Sequence, residues 1–375
     1  MVLTIPSGVP FLDALAEELL RQHGSDPLAL TRVTVLLPTR RAVRGLREAF
    51  LRIGGGRVRL LPVMRPIGDV EEDELLVSEL GVAEDEISVA PEVASLARQS
   101  LLARLILGRA DGPDDPVRAL RLAHELGQLL DQVHTERVSF KGLAELVPEE
   151  YAAHWQVTLD FLTVVTDNWP KILEEQGLLD PADRRNRLID ALAHRWEQAP
   201  PKGPVVAAGS TGSIPATAGL LKTISRLPKG AVVLPGLDTA LDDRSWAALD
   251  PGHPQFGMKQ LLERMGVGRD EVKIWPVSAG TSSPSVERVA ILNAALRPAE
   301  TTDEWPDLIA GAARGLEGLA LVEAANPVEE AGAIALMMRK TLETEGETAA
   351  LVTPDRALAR RVATELERWD VDVDD

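Results

Sequence analysis

The eighteen residues that begin at Val33, VTVLLPTRRAVRGLREAF, constrain the fold more than any other stretch of the chain. The run from Val33 to Leu37 is apolar and partly β-branched, which is typical of a buried parallel strand. Pro38 and Thr39 end this strand. Apolar residues at helical spacing follow immediately, with arginines between them. A strand that leads directly into a helix predicts an α/β fold built on a parallel sheet.

Arginine is concentrated around this strand and helix. The segment from Arg32 to Arg65 contains nine arginines and one acid, whereas the whole chain has a net charge of −18. The loop after a parallel strand, with a helix N-terminus behind it, is where such sheets hold anions. Two interpretations are open: the side chains contact the phosphates of a DNA strand, or they form a solvated helix face. The candidate DNA-binding residues are Thr39, Arg40, Arg41, Arg44 and Arg65.

The start of the chain has the strand, turn and helix order of a nucleotide-binding domain. Residues 2–5 are predicted as a strand, and a helix is predicted from Phe11 to His23. The loop between them contains Ser7, Gly8 and Pro10, but it has one glycine and no lysine followed by serine or threonine. A phosphate-binding loop needs glycines for close backbone approach, and a lysine and a hydroxyl for the phosphates and Mg²⁺. We therefore expect a degenerate nucleotide loop and no catalytic residues.

A second loop of interest follows the predicted strand at residues 203–208. Its helix is predicted to begin near Pro215 with Ser213 as the N-cap. The loop could hold a phosphate on backbone N–H groups, or it could be a tight turn with a cap. The strand carries no acid of the kind with which an NTPase holds Mg²⁺. The loop residues are Gly209, Ser210, Thr211, Gly212 and Ser213.

The pattern of predicted elements divides the chain into three parts. Residues 1–70 and 200–316 are predicted to form one discontinuous α/β domain, which includes a third strand at 57–63. Residues 71–199 have a helical pattern and are expected to be an insertion into that domain. Residues 317–375 are expected to begin a second α/β domain, and we expect the sequence to be the N-terminal part of a longer protein. Two strands are predicted in that last part, at 319–324 and 349–352.

Composition excludes several classes of site. The chain has no cysteine, which excludes disulfides and thiolate-held metals, and its six histidines show no metal-binding spacing. We therefore expect no metal and no cofactor in this segment. No secretion signal or membrane-length apolar run is present, so we expect a cytoplasmic protein without a membrane partner. The acidic balance excludes binding of a polyanion over the whole surface. The acidic run from Glu71 to Glu92 is expected to be solvated, and the alternative is a docking surface for a basic partner.

Several unusual motifs occur together in order along the chain. They are LLPTRRAVRGLREAF, LLPVMRPIGDVEEDEL, AAGSTGSIPATAGLLKTISRLPKGAVVLPGLD, HPQFGMKQLLERMG, VEAANPVEEAGAIAL and ALVTPDRALARRVATEL. Through these motifs the chain resembles the AddB family, one of the two subunits of the bacterial AddAB helicase–nuclease, in its alphaproteobacterial form. The resemblance spans essentially the whole chain.

The resemblance implies a fold and a role. It implies a RecA-like, superfamily-1 helicase-like domain with an all-helical insertion, followed by the start of a second RecA-like domain. Thr39, Arg40 and Arg41 match the position of the motif that contacts single-stranded DNA. The implied function is a non-catalytic, DNA-binding and subunit-docking part of a helicase–nuclease that processes double-strand breaks for recombinational repair. The implied partners are AddA, which is the motor subunit of the helicase–nuclease, double-stranded DNA ends and single-stranded DNA.

Two alternatives to this function remain. One is an active NTPase or helicase domain with a non-standard phosphate loop, and the other is a purely structural module without DNA contact. The nuclease part of the family, with its iron–sulfur cluster and Mg²⁺, lies outside this sequence, so none of its residues can be transferred.

Overall fold

The structure of the chain is a computed structural model. It describes residues 1–26, 28–55, 57–67, 89–109, 115–140, 161–162, 164–277, 286–308 and 312–374. The chain divides into two compact units, Met1–Gly315 and Leu316–Asp375.

The first unit contains a six-stranded sheet in which all the strand pairs are parallel. The strands lie in the order β3-β2-β4-β5-β1-β6. This topology confirms the predicted parallel α/β fold and fits a RecA-like arrangement. It also confirms that the predicted strands at the start of the chain share a sheet with those after residue 203. The strands are β1 (Val2–Ile5), β2 (Thr34–Leu37), β3 (Val63–Pro66), β4 (Val205–Ala208), β5 (Gly230–Pro235) and β6 (Lys273–Ile274).

Helices account for most of the remaining described residues. The first unit contains α1 (Phe11–His23), α2 (Arg40–Ile53), α3 (Ser95–Leu107), α4 (Pro116–Glu136), α5 (Trp169–Gln176), α6 (Pro181–Gln198), α7 (Pro215–Arg226), α8 (Asp243–Ala247), α9 (Phe256–Met265), α10 (Val286–Ala295) and α11 (Trp305–Leu308). The second unit contains α12 (Pro327–Leu342) and α13 (Arg356–Glu367). A π-helical segment, Val164–Asn168, directly precedes α5.

Helices cover both faces of the sheet. On one face, Leu15 of α1 and Leu46 of α2 pack in a buried cluster with Val35 of β2. On the other face, α6, α7 and α9 form a second buried cluster with Leu36 of β2 and Ala207 of β4. Alternate residues of each strand therefore supply two separate cores, as expected for strands that are buried on both faces.

The helices between β3 and β4 divide into two groups by what they contact. Helices α3, α4 and α5 form a hydrophobic cluster of their own, which includes Leu102, Leu126 and Trp169. Helix α6 instead contributes Leu192 and Trp196 to the core beneath the sheet. The last helix before β4 therefore packs on the sheet itself.

The predicted third strand is misplaced. The structure pairs β3 with β2 from Val63 to Pro66, in the register Thr34↔Val63, whereas the prediction was 57–63. Val58 is fully exposed and has no place in the core. The apolar residues of 57–62 therefore precede the sheet, and pairing begins where the side chains alternate into the two cores.

The two strands predicted in the second unit are also wrong. Neither 319–324 nor 349–352 forms a strand among the described residues of that unit, and Leu321 and Val352 are almost fully exposed. Helices α12 and α13 pack against each other through Ala335, Val362 and Leu366. A short apolar segment becomes a strand only when a neighbouring strand satisfies its backbone groups.

Within the part of the chain that the structure describes, no helix has the length and apolar character needed to cross a membrane.

Candidate functional site

The carboxyl edge of the sheet has two crevices because of the way its strands are connected. The helices that follow β1 and β2 lie on one face, whereas those that follow β4 and β5 lie on the other. Neighbouring strands therefore lead to opposite faces between β2 and β4, and again between β5 and β1. Such reversals leave a crevice beyond the strand ends, and ligands of open α/β sheets bind there.

The arginine turn, which consists of Thr39, Arg40, Arg41 and Arg44, lies beside the crevice between β2 and β4. The Thr39 hydroxyl caps α2 by accepting a hydrogen bond from the Ala42 N–H at 3.1 Å. Arg40, Arg41 and Arg44 follow in the first turns of α2, and all three are exposed. The first turn contains no acid, so the positive end of the helix dipole and the guanidinium groups reinforce one another. The structure therefore brings Thr39 and these arginines together.

Arg65 lies apart from this group. It is paired with Leu36 in the register of β3 and β2, and Leu36 faces the core formed by α6, α7 and α9. Paired residues of neighbouring strands point to the same face. The half-buried side chain of Arg65 is therefore on the face of the sheet opposite α2.

Two further arginines of the basic segment contact other parts of the chain. Arg52, at the far end of α2, forms an ion pair with Asp13 of α1. Arg59 follows α2 and donates to the Gly24 carbonyl oxygen at 3.5 Å. The structure thus gathers Arg40, Arg41 and Arg44 at the start of α2, whereas Arg52 and Arg59 contact α1 and the residue after it.

The loop after β1 is a short turn that contacts the loop after β5. It contains five residues, from Pro6 to Pro10, and the Val9 N–H closes a turn onto the Pro6 carbonyl at 3.3 Å. A Cβ added at Gly236, after β5, would lie 2.4 Å from the Ser7 Oγ. The loops that flank the crevice between β5 and β1 are therefore in direct contact.

Two features near this loop, the Phe11 ring and the Asp13 carboxylate, also disfavour an anion, whereas Gly8 and Pro10 only shape the turn. Gly8 has a φ of 82°, which only glycine adopts without strain, and Pro10 stands at the N-cap of α1 without a side-chain cap. The aromatic ring of Phe11 packs toward Gly209, because a Cβ there would lie 3.4 Å from the ring. Asp13 adds a negative charge to the first turn of α1. An apolar ring and a carboxylate occupy the place where phosphate-binding loops present N–H groups and a lysine.

The loop after β4 is shaped by its two glycines. Gly209 and Gly212 have φ values of 81° and 63°, and a Cβ at Gly212 would lie 2.6 Å from a methyl group of Leu261. The Ser210 hydroxyl accepts a hydrogen bond from the Gly212 N–H at 3.2 Å. Thr211 is half-buried in the same loop.

The predicted N-cap of the helix after this loop is wrong by one residue. Helix α7 begins at Pro215, and Ile214 is the N-cap, with no side-chain hydrogen bond to the first turn. Ser213 is exposed and stands one position too early to cap. Serine is a far better N-cap than isoleucine, which is why the sequence favoured Ser213. The N–H groups at the start of α7 therefore lack a side-chain cap.

The crevice between β2 and β4 is open. It is a cavity of about 220 Å³, and none of the described residues that line it is charged. Sequence reasoning missed Thr217, whose side chain is 6 % exposed and lines this cavity. The only sequence signal for Thr217 is its place in the first turn of a helix that follows a strand. The described lining residues are Pro38, Ile67, Gly209, Ser210, Thr211, Ser213, Ile214 and Thr217.

The predicted acidic surface falls mainly outside the described residues. Of the run from Glu71 to Glu92, the structure describes residues 89–92.

No protein-family model matches the chain, and no curated protein matches it.

Proposed function

We propose that this chain is a non-catalytic, DNA-binding and subunit-docking part of a helicase–nuclease that processes DNA double-strand breaks for recombinational repair. The proposal follows the resemblance to the AddB family. It makes single-stranded DNA and DNA ends the ligands and the AddA helicase the protein partner. The helices between β3 and β4 would then be the insertion of a helicase-like domain, and residues 317–375 would begin a second such domain.

One observation carries the DNA-binding part of this proposal. Three exposed arginines, Arg40, Arg41 and Arg44, surround the N-terminus of a helix at the carboxyl edge of a parallel sheet. Phosphates are the anions that helix N-termini and guanidinium groups bind together. In a protein of net charge −18, such a local group of cations favours a specific contact with a polyanion over general attraction.

The residues at the crevice between β5 and β1 support the non-catalytic part of the proposal. Hydrolysis of a nucleoside triphosphate needs backbone N–H groups, a lysine and a magnesium-binding acid at the strand ends. The loop after β1 supplies Phe11 and Asp13 instead, and the end of β4 carries no acid. Energy for movement along DNA would come from the partner helicase.

The experiment measures binding of fluorescein-labelled oligothymidine by fluorescence anisotropy at several salt concentrations. The triple variant Arg40→Ala/Arg41→Ala/Arg44→Ala should weaken binding strongly. The slope of log K against log salt concentration should fall by about 2, because each lost contact with a single strand accounts for about 0.7.

The matched control removes the same charge elsewhere. Arg104, Arg118 and Arg121 are exposed on α3 and α4, and their replacement by alanine should leave both the affinity and the salt slope unchanged. Equal loss of binding in the two triple variants would show that only net charge matters. Unchanged binding in the first variant would favour the structural module without DNA contact.

A further inference from the structure

The open crevice between β2 and β4 has the features of an anion site. Three consecutive strands of the sheet, β3, β2 and β4, end around it, and Ile67, Pro38 and Gly209 come directly after their ends. A crevice at a reversal of strand connection is the usual ligand position in such sheets. The other reversal, between β5 and β1, is closed by contact between Ser7 and Gly236.

Several of the described residues that line the crevice can donate hydrogen bonds, and none of these residues carries a charge. Helix α7 directs its N-terminus here, and Ile214 leaves the first-turn N–H groups without a side-chain cap. Ser210, Thr211 and Ser213 add hydroxyl groups. No carboxylate is found among the described lining residues. Such a set of donors suits an oxyanion, whose several oxygens accept hydrogen bonds.

Thr217 is the independent observation that points to a ligand. Its side chain is 94 % buried, since 6 % is exposed, and it lines the cavity. Among the residues that the structure describes, no hydrogen bond joins its hydroxyl to another group, and the hydroxyl oxygen is not one of the fully buried atoms without a partner. The hydroxyl oxygen therefore keeps accessible surface, and because the residue lines the cavity, this hydroxyl can donate a hydrogen bond to a ligand there. A bound phosphate oxygen would satisfy this group.

The chain connects this crevice directly to the arginine turn. Pro38 lines the cavity, and Thr39, Arg40 and Arg41 come immediately after it. We propose that the crevice binds one backbone phosphate of the nucleic-acid strand whose neighbouring phosphates contact Arg40 and Arg41, with Thr217 and the N-terminus of α7 as hydrogen-bond donors. This inference rests on the proposed function and assigns a second contact point for the same strand.

The test compares Thr217→Val, which keeps the shape and removes the hydroxyl, with Thr217→Ser, which keeps the hydroxyl. In the anisotropy assay with labelled oligothymidine, Thr217→Val should weaken binding about tenfold, the effect of one hydrogen bond to a charged group. Thr217→Ser should bind like the wild type. Circular dichroism and the thermal midpoint of both variants establish that the fold is intact.

Inorganic phosphate distinguishes a strand phosphate from free phosphate. Broadening of its ³¹P resonance is measured with the wild-type protein and Thr217→Val at constant ionic strength. If free phosphate depends on Thr217 while oligothymidine binds both proteins equally, the assignment to a nucleic-acid strand is overturned. Equal behaviour of both proteins toward both probes overturns the site itself.

The arginine variants separate failure of this inference from failure of the proposed function. If the triple arginine variant loses oligothymidine binding and Thr217→Val does not, the crevice is not a contact point, but the proposed function stands. If the wild type itself does not bind oligothymidine, the proposed function fails as well.

Discussion

The ionisation of one buried carboxylate, that of Glu18, is determined by the side chains next to it. Glu18 of α1 is 3 % exposed, and its oxygens accept hydrogen bonds from Arg21 and Gln22 at 2.6 Å. These contacts, above all the hydrogen bonds from the Arg21 guanidinium, hold the pKa of Glu18 below its ordinary value against the opposing effect of burial. The ionised form is therefore favoured in the folded state, and the contacts contribute to stability only while Glu18 is charged.

The first prediction concerns Glu18→Gln. At pH 7 this variant should have a thermal midpoint lower by about 2 °C, a small effect because Arg21 is largely exposed. The folded pKa is depressed, so the stabilisation exists above the unfolded pKa of about 4.3 and is lost as the pH falls through the folded value. Thermal melts from pH 7 to pH 3 should show the two midpoints converging below about pH 4. A constant difference across this range would contradict the assignment.

At the scale of elements, different loops at the carboxyl edge of the sheet would serve nucleotide hydrolysis and DNA binding. The loops after β1 and β5 meet at Ser7 and Gly236, whereas the loops after β2 and β4 leave a cavity. Nucleotide hydrolysis would need the crevice between β5 and β1. A nucleic-acid strand bound at α2 would need only the crevice between β2 and β4. The two crevices can therefore be tested separately.

The element-scale prediction is that the crevice between β5 and β1 binds no nucleotide. Titration of the protein with a fluorescent ATP analogue and Mg²⁺ should give no saturable signal in the micromolar range. The double variant Phe11→Ala/Asp13→Asn, which removes the ring and the acid, serves as a comparison and should not restore binding, because the lysine is still missing. Saturable binding by the wild type would instead support an active NTPase with an unusual phosphate loop.

The sequence predicted those elements whose pattern is local. The strand that begins near Val33 and the helix that follows Thr39 are predicted from apolar spacing, and the structure confirms both, with Thr39 as a helix cap that the sequence analysis did not name. Strand β6 has two residues and exists only through its pairing with β1 at Leu3 and Thr4, which no local pattern shows.

The candidate site was predictable to a similar extent. The arginine turn follows from charge and from its position after a strand. Thr217 could not be identified, because its importance depends on a cavity formed by three strands that are distant in sequence. The sequence groups Arg65 with the other candidates because it belongs to the same arginine-rich segment, yet strand alternation places it on the other face of the sheet.

At the scale of the whole molecule, the net charge of −18 opposes binding of a polyanion. Salt screens charges separated by more than about 8 Å at physiological ionic strength. Acidic groups remote from the arginine turn should therefore affect DNA binding little under those conditions, whereas the nearby arginines act at contact distance.

The whole-molecule prediction uses three exposed acids on helices outside the α1–α2 layer: Glu125 on α4, Glu175 on α5 and Glu263 on α9. Their joint replacement by glutamine should change oligothymidine affinity less than about twofold at physiological salt, and should strengthen binding measurably at low salt. The anisotropy assay at both salt concentrations checks this. A large gain at physiological salt would mean that overall charge, rather than the turn at α2, controls binding.

The presence of two reversals in one sheet has a consequence for how such a protein can change over time. Different loops build the two crevices, so substitutions can fill one of them without disturbing the walls of the other. An ancestor with both crevices open could therefore lose nucleotide hydrolysis in one lineage and still bind a nucleic acid. If this happened, homologues should keep the open cavity beside β4, whereas the turn after β1 should vary freely among them.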